Sequence, residues 1–381
     1  MPRNRVIYQS DAVFAAPTGA ASPLTIADNS IRRVQSCNYN FSIQRQDINQ
    51  FGELAAIDRL IIQEPTVSVD MSYYFEPTGF NERHLGLRTN AVTGVSSAAD
   101  HMLDFIISSG AAYDQKNVFI LTSDAGIDAN DPAASAMGNS ANYDGIIGIG
   151  NTFLTSWSLE AAVGGIPTVT CALEGQNIVF TGGITSPVVP NPAIVNGTDP
   201  GVTVTLPSGA GLFDASAEVA AVRPGDITLF LGTTESDDAP MVGLSEADLK
   251  IQSASVAMTI NREPIRKLGN TFAFAREITF PINCTMSVNA IVGDLASKRL
   301  FSLVNRACDD ATKYTAMLTI NGYKGSSCSA NTAYIILKGA KLDSQNITSS
   351  IGPNKSVTLE LSAQIGKNSG LHFRSSDPGN P

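Results

Sequence analysis

Charge is scarce in this sequence. Asp, Glu, Lys and Arg make up 16% of the residues, and 25 basic against 35 acidic side chains leave a formal charge of −10. There is no polybasic run, which excludes nucleic-acid binding driven by counterion release and electrostatic attachment to an anionic membrane surface. Histidine is nearly absent, with His84, His101 and His372 far apart in the chain. No HExxH, GxSxG, phosphate-loop or GxGxxG pattern occurs, so the spacings that announce metal, acyl-transfer or nucleotide chemistry are missing. The chain therefore reads as a non-enzyme that needs no cofactor or metal. Five cysteines, Cys37, Cys171, Cys284, Cys308 and Cys328, form no CxxC pair and read as reduced core thiols of a cytoplasmic product. No stretch approaches the ~20 apolar residues of a membrane span. The longest early apolar run, Ala12 to Pro17, is too short for a signal-peptide core. Aromatics are 7% with one tryptophan, too few for the stacking platforms of a carbohydrate-binding module.

In place of charge the chain has 43% hydrophobic residues and many Ser, Thr, Asn, Gly and Ala, the composition of a β-rich protein with neutral polar surfaces. It also repeats itself. Residues 34–59 overlay 251–276 without gaps, 217 positions later, with Gln35/Gln252, Ser36/Ser253, Ile43/Ile260, Arg45/Arg262, Ile48/Ile265, Gly52/Gly269, Ala56/Ala273 and Arg59/Arg276 identical. A second block, Ser156–Gly164, overlays Ser344–Gly352. Two matching blocks in the same order imply two copies of one module, each of a size that supports its own core.

The strand signals repeat in phase. Cys37, Tyr39, Phe41 and Ile43 alternate with Asn38, Asn40 and Ser42, and Ala254, Val256, Met258 and Ile260 fall on the same side in the second copy. A second strand covers 66–73, matched by the alternation of Ile282, Cys284, Met286 and Val288, with the second copy two residues shorter across this stretch. Between them the sequence predicts a long loop, Gln44 to Asp58, holding the shared glycine. Helices are expected at 96–109 and 295–307, one flanking each sheet, with buried strands at 118–121 and 334–337. Each copy closes on a hairpin, 157–174 with a Gly164–Pro167 turn, and its counterpart turning at Gly352–Lys355. The organisation read from these signals is an arm at 1–30, a module at 31–181, a Pro/Gly-rich connection at 182–225, a second module at 226–365 and a mobile tail at 366–381. The acidic loop Asp124, Asp128, Asn130 and Asp131 departs from the calcium-hand pattern and reads as solvated, as do Asp237-Asp238 and Asp309-Asp310.

Val34-Gln-Ser, the loop with Gln50-Phe-Gly52, Arg59 ahead of Pro65-Thr-Val-Ser-Val, the second-copy Ile251-Gln-Ser, Lys267-Leu-Gly269 and Arg276-Glu-Ile-Thr-Phe-Pro281, and the hairpin Trp157–Gly164 with Ile166-Pro-Thr-Val carry a resemblance. Together they resemble the tail tube proteins of tailed bacteriophages, over about two-thirds of the chain. The resemblance implies a mainly β (α+β) fold. Each copy would be a β-sandwich or half-barrel module with one flanking helix, closing into a ring-shaped β-barrel on oligomerisation. It implies homotrimers of pseudo-hexameric form, stacked into a conduit through which DNA passes without specific binding. Tape-measure, baseplate or terminator proteins, and a sheath where the tail contracts, are the implied partners. The implied location is the virion tail, after synthesis and assembly in the host cytoplasm.

On that reading the polar strand phase lines the channel. It comprises Asn38, Asn40, Ser42, Thr66, Ser68, Asp70, Ser72, Ser158, Glu160, Thr170 and Glu174, then Ser255, Thr259, Asn283, Thr285, Ser287, Asn346, Thr348, Thr358 and Glu360. Its charges, Asp70, Glu160, Glu174 and Glu360, are acidic and repel phosphate. Gly52, Arg59, Gly269 and Arg276 are the expected assembly or inter-module positions, each arginine placed to meet an acid on a neighbouring module. Two alternatives remain: a trimeric baseplate hub or distal tail protein with the same duplicated fold, and a non-viral duplicated β-sandwich binding protein.

Overall fold

The computed structural model describes residues 11–19, 24, 29–87, 101–108, 115–123, 143–184, 188–195, 197–206, 227–232, 249–292, 313–324, 327–349, 354–366 and 369–375. In the first half the strands are β1 (Asp11–Pro17), β2 (Ser30–Ile31), β3 (Val34–Ser42), β4 (Arg45–Ile48), β5 (Asp58–Ile61), β6 (Thr66–Tyr74), β7 (Lys116–Ser123), β8 (Tyr143–Ala162), β9 (Thr168–Gly175) and β10 (Asn177–Ile184). Two short helices, α1 (Phe80–His84) and α2 (Asp104–Ser108), lie between β6 and β7. A small pair, β11 (Val188–Pro190) and β12 (Thr203–Thr205), follows. The second half contains β13 (Ile227–Gly232), β14 (Leu249–Thr259), β15 (Arg262–Ile265), β16 (Ala275–Ile278), β17 (Asn283–Val292), β18 (Tyr314–Lys324), β19 (Ser327–Thr348), β20 (Ser356–Gln364) and β21 (Gly370–Ser375). Among the described residues the protein is mainly β, with almost no helix, and no barrel closes.

Eight strands form one continuous antiparallel front sheet in the order β3-β6-β9-β8-β14-β17-β20-β19. The first four come from the first half and the last four from the second. They meet where β8 pairs with β14, from Ser253↔Ala162 to Thr259↔Ser156. Behind the front sheet run two others, β10-β8-β7-β1-β2 and β21-β19-β18-β13. The long strands β8 and β19 belong to both layers. Each turns from back to front at a left-handed residue, Asn151 (φ 51°) and Gly339 (φ 66°), followed by a bulge at 154/156 and 342/344. Only Gly and a few small polar residues visit this conformation cheaply. Asn151 is held there by its side chain, which accepts from the Ile194 amide at 2.6 Å and donates to the Ile194 carbonyl at 3.2 Å.

The pairing of one half recurs in the other. Val34↔Tyr73, with a bulge before Ser36↔Ser72, corresponds at 217 positions to Ile251↔Ala290 with a bulge before Ser253↔Asn289. Trp157↔Cys171 corresponds at 188 positions to Gln345↔Leu359. The displacement of 217 runs unbroken through β6 and β17, since Ser68↔Glu174 matches Thr285↔Ser362. The two-residue shortening expected there is therefore corrected to none. β1 matches β13 and β10 matches β21, so Asp11–Pro17 is a core strand rather than part of an arm. Gly370–Ser375 is likewise a buried strand rather than a mobile tail.

Gln44 to Asp58, expected as a loop, is mostly the hairpin β4–β5, matched by β15–β16. Gly52 and Gly269 sit at the two tips with φ of 95° and 87°, and nothing lies near the place of a Cβ, so the conformation rather than crowding requires glycine. Of the helix expected at 96–109, Asp104–Ser108 is helical, and residues 96–100 and 109 lie outside the described residues, as does the whole of 295–307. The segments 124–131, 237–238 and 309–310 also lie outside them.

One core fills the space between layers. The apolar phase of the front sheet, with Val69, Met71, Trp157, Leu159, Val256 and Met286, packs against back-layer residues such as Val118, Ile149, Leu318 and Ile335. At the open edges the same phase is uncovered. Ile347 in β19 is 38% exposed, whereas its counterpart Leu159 in β8 is fully buried. Truncating Leu159 to Ala is expected to cost about 2–5 kcal/mol in denaturant unfolding of the dispersed chain, while Ile347→Ala costs less than about 1 kcal/mol.

Candidate functional site

Alternation in every front strand separates a packed face from an open one. All twenty polar residues expected on a lumen lie on the open face of the front sheet and none is buried. Register arranges them in rows across the sheet. One row runs Ser36, Ser72, Thr170, Ser158, Ala257, Thr285, Ser362 and Lys341. Neighbours on this face satisfy one another locally. The Ser36 and Ser72 hydroxyls are 2.6 Å apart, the Thr348 and Ser356 hydroxyls likewise, and Ser287 donates to Glu360 at 2.7 Å. Short side chains engaged with their neighbours leave a low, polar surface.

Two readings of its charge need correction. Lys341 lies on this face, because the bulge at 342/344 takes Asp343 out of the alternation and returns Lys341 to the polar phase opposite Ser362. Glu174 is not a free acid, since Arg276 Nη1 donates to its Oε1 at 2.6 Å.

Arg276 joins the two halves. It is buried, its side chain 5% exposed, and it bridges to the first half by pairing with Glu174 and, at 3.5 Å, with Glu64. Glu64 is as deeply buried and also accepts from the Ala273 amide at 2.8 Å. Its counterpart Arg59 stays exposed and binds Asp47 in its own hairpin. The two arginines thus occupy equivalent positions in different surroundings. The sequence carried no signal for Glu64, whose equivalent 217 positions on is Pro281.

Glu82 and the thiols, whose acidity burial shifts, lie on the packed side, away from the open face. Tyr73 donates to Glu82 at 3.0 Å, and burial raises the Glu82 carboxyl to about 7 against the lowering effect of its hydrogen bonds. Burial pushes the Cys37 thiol up to about 11, helped by the charge of Asp11, and Cys284 up to about 12, with Cys171 higher still. Thiols held protonated are poor nucleophiles and poor metal ligands. His101 and His372, unrelated in the sequence, stack with ring centroids 4.5 Å apart, and His101 Nε2 meets the Ser369 carbonyl. No grouping of three potential metal ligands occurs among the described residues.

No family model matches this chain, and no curated protein matches it. Among solved structures, one chain from a structure described as the tail of an empty GTA particle, refined helically with C6 symmetry, aligns at 10% identity. The alignment covers 38% of this chain and 94% of that one, with a TM-score of 0.21. A likeness that small carries no argument about role.

Two measurements test the buried charges. Arg276→Met leaves Glu64 without its buried partner and is expected to cost about 3–5 kcal/mol, much of it recovered in the double variant with Glu64→Gln. The folded state holds the Glu82 proton more tightly than the unfolded chain, where the carboxyl sits near 4.5. Its contribution is therefore complete below that value and lost as pH rises through about 7. Glu82→Gln should flatten this fall and gain up to roughly 3 kcal/mol above neutrality, read by denaturant unfolding across pH.

Proposed function

We propose that this chain is the structural subunit of a phage tail tube. Three copies, each supplying two modules, form a pseudo-hexameric ring, and rings stack into a hollow conduit that DNA crosses during infection. The observation that carries the reading is the front sheet, eight strands from two matching halves, polar on one whole face and open at both edges. A sheet of this kind is complete only when its edges are paired, and a closed ring removes both at once.

Curled toward its polar face, the sheet gives a wall of Ser, Thr and Asn with Asp70, Glu160 and Glu360 among them. Such a wall offers phosphate little to bind. Lys341 and Lys250, which shares the row of Ile291, Ser356 and Thr348, are the two basic points among the described front-strand residues, too sparse to hold a duplex by counterion release. The exposed tips of the two hairpins, with Phe51, Leu54 and Leu268, extend past one end of the sheet and suit contact with the next ring. Partners of a finished tube are a tape-measure protein inside, baseplate and terminator proteins at its ends, and a sheath where the tail contracts. The location is the virion tail, after synthesis in the host cytoplasm.

Negative-stain electron microscopy of the purified chain is expected to show rings or tubes with a central hole, and a uniformly dispersed monomer under all assembly conditions overturns the reading. Assembled tubes should retain no duplex DNA at moderate salt in a sedimentation assay.

A further inference from the structure

The joint inside the chain specifies the joint between chains. β8 and β14 are joined in register from Ser253↔Ala162 to Thr259↔Ser156, extended at the two ends by the Val163 amide donating to the Gln252 carbonyl and the Ile260 amide to the Thr155 carbonyl. By the pairing correspondence, the outer edge of β19 is the counterpart of β8, and the outer edge of β3 is the counterpart of β14. One end of the chain thus presents the β8 side of this joint and the other end the β14 side.

Exposure shows that both sides lack a cover. In β14 and just past its end, the packed-phase residues Val256, Met258 and Ile260 are 0–2% exposed. Their counterparts in β3, Tyr39, Phe41 and Ile43, are 38–50% exposed. Behind them, Phe180 in β10 meets Tyr39 at a tilt, with ring centroids 6.1 Å apart, and is 57% exposed, while its counterpart Phe373 in β21 is buried against Phe75. In β19, Ile347 stands open where Leu159 is buried. The uncovered residues are those that the internal joint covers in the other half, so the matching occupant is the other edge of a second copy of this chain.

We propose that β19 of one chain pairs antiparallel with β3 of the next in the register of the internal joint. Thr348 then lies opposite Asn38, Ile347 opposite Tyr39, Asn346 opposite Asn40, Gln345 opposite Phe41 and Ser344 opposite Ser42. The polar phase meets the polar phase, and Tyr39 and Ile347 close over the core as Val256 and Leu159 do inside the chain. At the next position the bulk is exchanged, Phe41 against Gln345 where Met258 meets Trp157, so a large and a smaller side chain still face each other. A slip of one residue would set the polar phase of one edge opposite the apolar phase of the other. This register rests on the ring reading and adds to it the identity of every facing pair.

The test is a cysteine pair on the open face, Asn40→Cys with Asn346→Cys, oxidised mildly in assembled protein and run without reductant. The expected product is a covalent ladder ending at three chains and abolished by reductant, absent from either single variant. The displaced pair Asn38→Cys with Asn346→Cys should give at least tenfold less. Rings visible by microscopy without cross-linking, or with equal cross-linking of the displaced pair, overturn the register and leave the ring reading standing. The absence of rings from the unmodified protein overturns the ring reading and the register with it. As a second check, Tyr39→Asp should leave the melting of the dispersed chain unchanged while abolishing rings, and intact rings from that variant overturn the proposal.

Discussion

The structure depends on one backbone ladder, the pairing of β8 with β14. Each half alone is a four-stranded front sheet with two free edges, and a free edge with an apolar face is an invitation to uncontrolled pairing. The ladder consumes one edge from each half and leaves two instead of four. It also aligns the alternation of all eight strands, because the side-chain period of two admits no partial slip. The continuity of the polar face and the continuity of the core beneath it are consequences of that single alignment.

The two halves are equivalent in pairing and unequal in polar detail. At the internal joint, Arg276 lies between Glu64 and Glu174, all three at least half withdrawn from water. The corresponding positions at the outer joint are Arg59, Pro281 and Ser362, and Arg59 is already engaged with Asp47. A buried ion pair adds little net stability once desolvation is counted, but breaking its geometry is costly, so it favours one register over others. The internal joint has this device and the proposed outer joint does not.

The strands were legible because their alternation is strong and appears twice. The phase of Cys37–Ile43 against Ala254–Ile260 is as certain in the letters as in the fold. The hairpin β4–β5 was not, since Arg45–Ile48 and Asp58–Ile61 are exposed on both sides and solvent imposes no alternation there. β1 was hidden for the opposite reason. Ala12 to Ala16 are buried on both faces, between the main core and a smaller one around Phe14 and Phe119, and a continuous apolar run has no period to read. The open face was legible as a list of small polar residues. The charge relations on it were not, because Arg276 reaches Glu64 across 212 positions and no local spacing encodes that contact.

The placement of the ion pair follows from what each joint has to overcome. Partners in one chain meet at the high effective concentration of a tether, so the internal ladder needs little help to form and much help to form in one register. Separate chains pay for lost translational and rotational freedom, and only buried apolar surface and backbone pairing offset that cost. The outer edges carry that kind of surface, with Tyr39, Phe41 and Phe180 on one side and Ile347 on the other. A desolvated charge there would oppose association before pairing was complete. In the proposed ring, keeping ions out of the outer joint and apolar side chains in it would let the chain fold first and assemble second, with the finished internal ladder as the pattern for the ones that follow.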